Sequence, residues 1–256
     1  MKLTFLGTGT SHGVPTIGCD CAVCHSADPR DRRLRSSLYV EAGGAAVLVD
    51  ASPDLRQQAL RFGVRRVDAV CVTHAHADHI FGMDDLRRFN EMQGQAIPIH
   101  GEPATLAVLR RTFAYAFEPG IPGTPRPQLE LRELDGPLSI GGLRVTPLPV
   151  WHGPWRICGF RFGADGRSFG YVPDCSRMDD ETVACAAGLD VMILDGLRPQ
   201  PHPTHLTLAE SLALLGRIGA RDSYITHLCH LLGHAATEAR MPPGFHVPHD
   251  GLTLEW

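Results

Sequence analysis

The sequence predicts an α/β fold (α+β in some schemes), built as a four-layer αββα sandwich in a single domain over residues 1–256. Apolar, β-branched runs recur in both halves, and each set is interleaved with helical segments, which implies two sheets packed face to face with helices outside. No internal repeat of solenoid period and no low-complexity tract competes with that reading.

Composition sets the limits. With 256 residues, 43 % of them hydrophobic and 20 % charged, the chain is long enough for one large domain, and two small ones are disfavoured. A formal charge of −4 and a pI near 6.4 give no broad attraction for nucleic acid. A phosphate-bearing substrate would have to be held locally by metal or by a few Arg and His. The segment Met1–Gly7 is too short and soon too polar for a signal peptide. There is no 18-residue apolar run, so a cytoplasmic protein with no membrane partner is expected. Eight cysteines in a reducing compartment argue for metal ligation or burial rather than disulfides.

In chain order, a strand at Lys2–Leu6 runs into a glycine-bearing loop, Gly7 to Gly13. Cys19, Cys21 and Cys24 follow at C-x-C-x-x-C spacing, which wraps one tetrahedral ion and wants a fourth ligand from elsewhere. Leu38–Glu41 and Ala45–Asp50 form a hairpin turned at Gly43-Gly44, and Asp50 ends the second strand. Ser52-Pro53-Asp54 starts a helix that closes at Gly63. Val67–Thr73 is a buried strand, directly followed by His74, His76, Asp78 and His79, four metal-ligating side chains within six residues. If the extended spacing continues, His74, His76 and Asp78 project to one side and His79 to the other. That geometry suits two ions better than one.

Helices are expected at Gly82–Met92 and Pro103–Phe117, with a short strand at Ile97–Ile99 that ends at a functionally bland His100. The loop 118–128, with four prolines and two glycines, is the best place for a mobile lid or partner contact, an inert connector being the plainer reading. The second half supplies strands at Leu129–Glu133, Leu138–Ile140, Leu143–Val150, Ile157–Phe162, Ser168–Val172 and Asp190–Asp195, with a helix at Met178–Ala187. His152, Asp174 and His227 each stand at a strand end. Asp195 ends another strand, and His205 precedes the amphipathic helix Leu206–Ile218.

The stretch His74-x-His76-x-Asp78-His79 after a strand resembles the signature of the metallo-β-lactamase fold superfamily of dinuclear metallohydrolases, and the resemblance implies the same αββα sandwich. Carried over residue by residue, it implies that His74, His76 and His152 hold one ion. Asp78, His79 and His227 would hold the other, Asp174 would bridge them, and Asp50 would buttress the loop from behind. Two Zn2+ or Mn2+ ions so held, about 3.5 to 4 Å apart, would share a hydroxide and clamp both oxygens of a phosphoryl transfer. Asp78 would belong to the catalytic machinery as well as to the ligand set. An Asp bridge is similar to that of phosphodiesterases and nucleases, where classical β-lactamases use Cys; the neighbouring Cys175 is expected to pack rather than ligate.

The segment from Asp195 to Thr207 is similar to motifs of tRNase Z and its relatives, which implies that Asp195 orients His205 as general acid toward the leaving oxygen. Cys19, Cys21 and Cys24, with His230 three residues after His227, resemble the structural zinc site of the phosphoribosyl cyclic phosphodiesterases (PhnP-type). Cys229, His234 and His25 rival His230 as the fourth ligand. The resemblance implies hydrolysis of small phosphodiesters such as ribose 1,2-cyclic phosphate or 2′,3′-cyclic nucleotides, by an enzyme whose relatives are often homodimers. Two alternatives stand beside it. A tRNA 3′-processing nuclease is disfavoured by the acidic charge and the lack of a basic tRNA-gripping insert. A non-hydrolytic carrier or oxygenase like pyrroloquinoline quinone biosynthesis protein B would not need all seven ligands together with Asp195 and His205.

Overall fold

A computed structural model describes residues 1–119 and 123–256. The loop 118–128, weighed as a lid, a partner contact or an inert connector, includes residues 120–122, which lie outside the described residues.

In the first sheet, β1 (Lys2–Gly7), β2 (Ser37–Ala42) and β3 (Ala45–Val49) run antiparallel, and β4 (Ala69–Cys71), β5 (Ile97–Gly101) and β6 (Leu129–Glu133) continue it in parallel. The second sheet begins with β7 (Leu138–Ile140), β8 (Leu143–His152), β9 (Trp155–Ala164) and β10 (Arg167–Val172), all antiparallel. It goes on in parallel through β11 (Val191–Asp195), β12 (Asp222–Thr226) and β13 (Phe245–His246), and β14 (Thr253–Glu255) returns to pair with β1. The spatial orders are therefore β14-β1-β2-β3-β4-β5-β6 and β13-β12-β11-β10-β9-β8-β7.

The layering follows from period-2 side-chain alternation in strands buried on both faces. On β3, Val47 and Val49 point into the space between the sheets, where Phe5, Phe160, Phe162, Phe169 and Ile193 meet them; Ala46 and Leu48 point to the opposite side. There they meet Leu55 of α1 (Leu55–Phe62), Ile80 of α2 (Ala77–Ile80), Leu86 and Phe89 of α3 (Leu86–Gln93), Leu106 and Leu109 of α4 (Pro103–Thr112) and Ala116 of α5 (Ala114–Phe117). On β11 the same alternation sends Val191 and Ile193 inward, and Met192 and Leu194 toward Leu214, Leu215 and Ile218 of α7 (Leu208–Ile218), beyond α6 (Asp180–Cys185). Three apolar layers between four structural ones make the expected αββα sandwich. No helix among the described residues is long and apolar enough to cross a membrane.

Several expected elements differ in extent. Leu129–Glu133, read with the second half, pairs with β5 in the first sheet, because Ile97 to Gly101 offers it a free parallel edge. The helix expected from Gly82 begins as a 3₁₀ turn at Met83–Asp85 before α3, and the one expected to Phe117 breaks at Phe113, whose φ of −110° and ψ of 39° are not helical. Pro53 and Asp54 precede α1, which begins at Leu55 and ends on Gly63 in the left-handed conformation (φ 71°), a position that suits glycine.

Candidate metal centre

The expected site residues fall at the carboxyl ends of strands from both sheets, the usual location of ligand sites in open α/β sheets. Asp50 follows β3, His74 and His76 follow β4, His152 ends β8, Asp174 follows β10, Asp195 ends β11 and His227 follows β12. The Cys158 amide of β9 donates to the Thr73 carbonyl at 3.1 Å, which ties the two sheets together beneath the site.

The extended spacing expected from His74 through Asp78 does not hold. His76 is extended (φ −71°, ψ 151°), but Ala77–Ile80 closes into one helical turn, and Ile80 is thereby buried among the outer apolar layer. The consequence is a division of labour along six residues. His74 and His76 remain two extended positions apart, with His74 Nε2 at 2.8 Å from His76 Nδ1. Asp78 and His79 ride the helical turn into a second pocket.

Those pockets share one residue. Asp174 Oδ2 lies 3.8 Å from both His74 Nε2 and His152 Nε2, whereas its Oδ1 lies 3.1 Å from His79 Nε2 and 3.5 Å from His227 Nε2. Asp78 Oδ2 completes the second set at 3.3 Å from His79 Nε2 and 3.5 Å from His227 Nε2. Ligand atoms around a tetrahedral ion with bonds of about 2.0 to 2.1 Å are separated by about 3.3 to 3.4 Å; the second set, at 3.1 to 3.5 Å, matches that spacing, and the first set departs from it on both sides, at 2.8 and 3.8 Å. His79 Nε2, His227 Nε2 and Asp174 Oδ1 are buried without hydrogen-bond partners among the described residues. Orphaned donors and acceptors of this kind are costly unless something occupies the space between them. Mixed imidazole and carboxylate around such a space fits borderline-hard divalent ions, and the residues present fit two of them. His74, His76, His152 and Asp174 could hold one, and Asp78, His79 and His227, with Asp174, the other.

Partners behind the ligands fix their orientation. Asp50 takes the Thr73 amide at 2.8 Å and His79 Nδ1 at 2.7 Å, which turns His79 Nε2 toward the second pocket. His152 Nδ1 donates to the Thr204 carbonyl at 2.7 Å, leaving Nε2 for the first. His205 Nδ1 is 2.9 Å from Asp195 Oδ2, and His205 Nε2 stands 3.8 Å from Asp174 Oδ2 on the open side of the site. Asp50 and His227 both adopt left-handed backbone, with φ of 61° and 60°, a conformation costing roughly 1–2 kcal/mol for residues other than glycine. Such strain collects where the fold must aim a side chain.

The two pockets differ electrostatically. Burial drives His74 far down and His152 to about 4, only partly offset for each by Asp174, so both rings are neutral and ready as ligands. In the second pocket burial opposes charge, but Asp174 and its carboxylate neighbours prevail: His79 is held well above the ordinary histidine value and His227 is raised to about 8. Burial likewise opposes ionisation of Asp78 and Asp174. The histidines outweigh it, chiefly His79 for Asp78 and His227 for Asp174, and hold both carboxyls far below the usual range. Ions entering this pocket would displace protons from His79 and His227.

A separate cluster forms near the N-terminus. His230 Nδ1 lies 3.0, 3.4 and 3.6 Å from the sulfurs of Cys19, Cys21 and Cys24, against about 3.5 Å for the S···N edge of a tetrahedral zinc site. The rival ligands turn elsewhere: His25 to Asp20, His234 to Arg33, and Cys229 to the Leu231 amide. A hydrogen bond from the Cys24 amide lowers the Cys21 thiol to about 6, whereas burial raises Cys24 to about 11. Cys175 is packed in the apolar layer under α7, as expected.

Against known families, the model of the β-lactamase superfamily domain matches residues 45–228. The chain belongs to the β-lactamase superfamily. The superfamily segment contains Asp50, all seven residues of the paired pockets, Asp195 and His205, and leaves out Cys19, Cys21, Cys24 and His230. A solved diphosphatase of the PhnP family is 43 % identical with a TM-score of 0.91, over 100 % of this chain and 97 % of that one. The PhnP-type resemblance drawn from the cysteines is borne out by that likeness. Coenzyme PQQ synthesis protein B of Methylorubrum populi is 30 % identical over 77 % of this chain and 73 % of its own length. An octanoyltransferase of Porphyromonas gingivalis is 36 % identical over 98 % of this chain but 51 % of its own length, so the chain spans about half of that relative.

Sequence reading missed the partners that are backbone atoms, above all the Thr204 carbonyl behind His152, since nothing in a residue's identity announces a carbonyl's use. It also passed over Trp155. The pattern Trp151-His152-Gly153-Pro154-Trp155 was available as a signal: a Gly-Pro turn placing an aromatic directly across from a candidate ligand, His152.

Proposed function

We propose that this superfamily member is a metal-dependent phosphodiester hydrolase acting on small, including cyclic, diesters. The observation that carries the reading is Asp174, whose two carboxylate oxygens face two separate nitrogen clusters while His205 stands over the same carboxylate. Divalent ions bound there would lower the pKa of a water and neutralise charge on the phosphoryl oxygens. The protein's own part is positional. Asp78, ionised beside His79 and His227, helps hold the second ion and orients the attacking water. Asp195 fixes His205 through Nδ1, so that a proton carried on Nε2 is delivered to the leaving alkoxide. The Cys19, Cys21, Cys24 and His230 set holds one structural Zn2+ away from the chemistry.

The name of the 43 % identical relative favours a second reading within the same chemistry, a P–O–P linkage in place of a P–O–C one. A panel of bis-p-nitrophenyl phosphate, ribose 1,2-cyclic phosphate, adenosine 2′,3′-cyclic phosphate, a dinucleoside diphosphate and a precursor tRNA, tested on one metal-loaded preparation, separates the readings. Release of phosphomonoester from small diesters is expected. Turnover of the dinucleoside diphosphate alone would select the second reading, cleavage of tRNA alone would select a processing nuclease, and no turnover with full metal content would overturn the proposal.

A further inference from the structure

The hairpin between β8 and β9 carries two tryptophans with opposite fates. Trp151 is structural: its Nε1 donates to Asp179 Oδ2 at 2.9 Å, and the guanidinium carbons of Arg177 and Arg156 lie 4.8 and 5.8 Å from the ring centre on the indole. Trp155 is 57 % exposed, the most exposed aromatic side chain in the described residues. An exposed indole offers a large flat apolar face to a ligand ring.

Its position is fixed relative to the paired pockets. Trp155 is the direct cross-strand partner of His152, and its ring centre lies 6.1 Å from the His76 ring and 6.5 Å from the His152 ring. The two-residue turn between them is locked. Gly153 has a φ of 62°, as the first central position of a tight hairpin turn requires, and a Cβ there would sit 2.7 Å from Thr204 Cγ2. The Gly153 amide donates to Ser176 Oγ at 2.9 Å, and that hydroxyl donates in turn to the Trp151 carbonyl at 3.0 Å. The backbone of the turn is thus held, and it carries the exposed indole beside His76 and His152, two candidate ligands of the first pocket.

We propose that Trp155 is the specificity-determining residue of the site, a stacking platform for a planar ring joined through a sugar to the reacting phosphodiester. The substrate class is then a nucleotide diester rather than a sugar phosphate that carries no base. The assignment rests on the hydrolase reading for its turnover test and on binding alone for its second test. Base-on-aromatic stacking is sequence-tolerant and corresponds to about 5- to 150-fold in binding on truncation to alanine.

The experiment compares wild type, Trp155→Ala and Trp155→Phe on two five-membered cyclic diesters, adenosine 2′,3′-cyclic phosphate and ribose 1,2-cyclic phosphate. Metal content is measured in parallel to show that the pockets are intact. Expected is a fall of about 5- to 150-fold in kcat/KM for the adenosine diester with Trp155→Ala, mostly in KM. Trp155→Phe should restore most of it, and the ribose diester should change less than threefold. Equal losses on both diesters, or no loss on either, would overturn the platform. Should wild type hydrolyse neither, the hydrolase reading fails, and stacking is read from binding to the metal-loaded protein. Adenosine 5′-monophosphate should then bind at least fivefold more weakly to Trp155→Ala, with ribose 5-phosphate unchanged, and equal affinities would overturn it.

Discussion

His79 Nδ1 and Asp50 Oδ2 are 2.7 Å apart in the fully buried floor of the paired pockets, while the other oxygen of Asp50 takes the Thr73 amide at 2.8 Å. One carboxylate therefore sets both the tautomer of a ligand and the path of the loop that carries the rest. Asp50→Asn keeps the shape but weakens the grip on the His79 N–H. It should lower the affinity of the second ion by about 10- to 100-fold, read by titration against a competing chelator. Unchanged affinity would contradict that role.

Asp195 and His205 form the second such pair, at 2.9 Å, but on the open side of the site. His205→Ala and Asp195→Asn should each slow hydrolysis of alkoxide-leaving diesters, with a loss of about 10²- to 10⁴-fold for the histidine. The loss should be much smaller for bis-p-nitrophenyl phosphate, whose leaving group needs no proton. Equal losses on both substrates would point to a merely structural histidine.

Much of this candidate site was legible because residues of metal-ligating type follow buried strands in a fixed order. Val70-Cys71-Val72 is plainly a strand, and four ligand side chains crowd behind it; His152, Asp174 and His227 stand at three later strand ends. Legibility failed where the determinant was not local. The helical turn at Ala77–Ile80 buries Ile80 in the outer apolar layer that also holds Leu55 and Met83, a tertiary gain that overrides the extended pattern. Strands β13 and β14, of two and three residues, are too short to show a period. The docking of Leu129–Glu133 on β5 depended on which sheet had a free edge.

The cysteine cluster is expected to be separable from the chemistry. Cys21→Ser should release one of about three bound metal equivalents and lower the Tm, while bis-p-nitrophenyl phosphate hydrolysis per remaining metal pair persists. An unchanged metal count would remove Cys21 from the ligand set.

A buried polar knot supplies a pH dependence away from the metals. Arg33 donates to Thr8 Oγ1 and to the Pro248 carbonyl, both at 2.8 Å, and its third contact is His234 Nδ1 at 3.5 Å. Burial and then the Arg33 charge hold His234 down at about 4, against 6.5 ordinarily. Between those values the unfolded chain binds a proton that the folded one rejects, so this residue's contribution is present above pH 6.5 and is lost as the pH falls to about 4. Urea unfolding at pH 7, 5.5 and 4.5 should show a shallower decline in His234→Gln than in wild type. Parallel declines would place the acid sensitivity elsewhere.

The central claim is that Asp174 bridges two ions while the cysteines hold a third. The most direct measurement is the metal content of the purified chain by plasma mass spectrometry, made on wild type and Asp174→Ala together. Wild type should carry about three equivalents and the variant about one. A wild-type value of one, or a variant that retains all three, would contradict it.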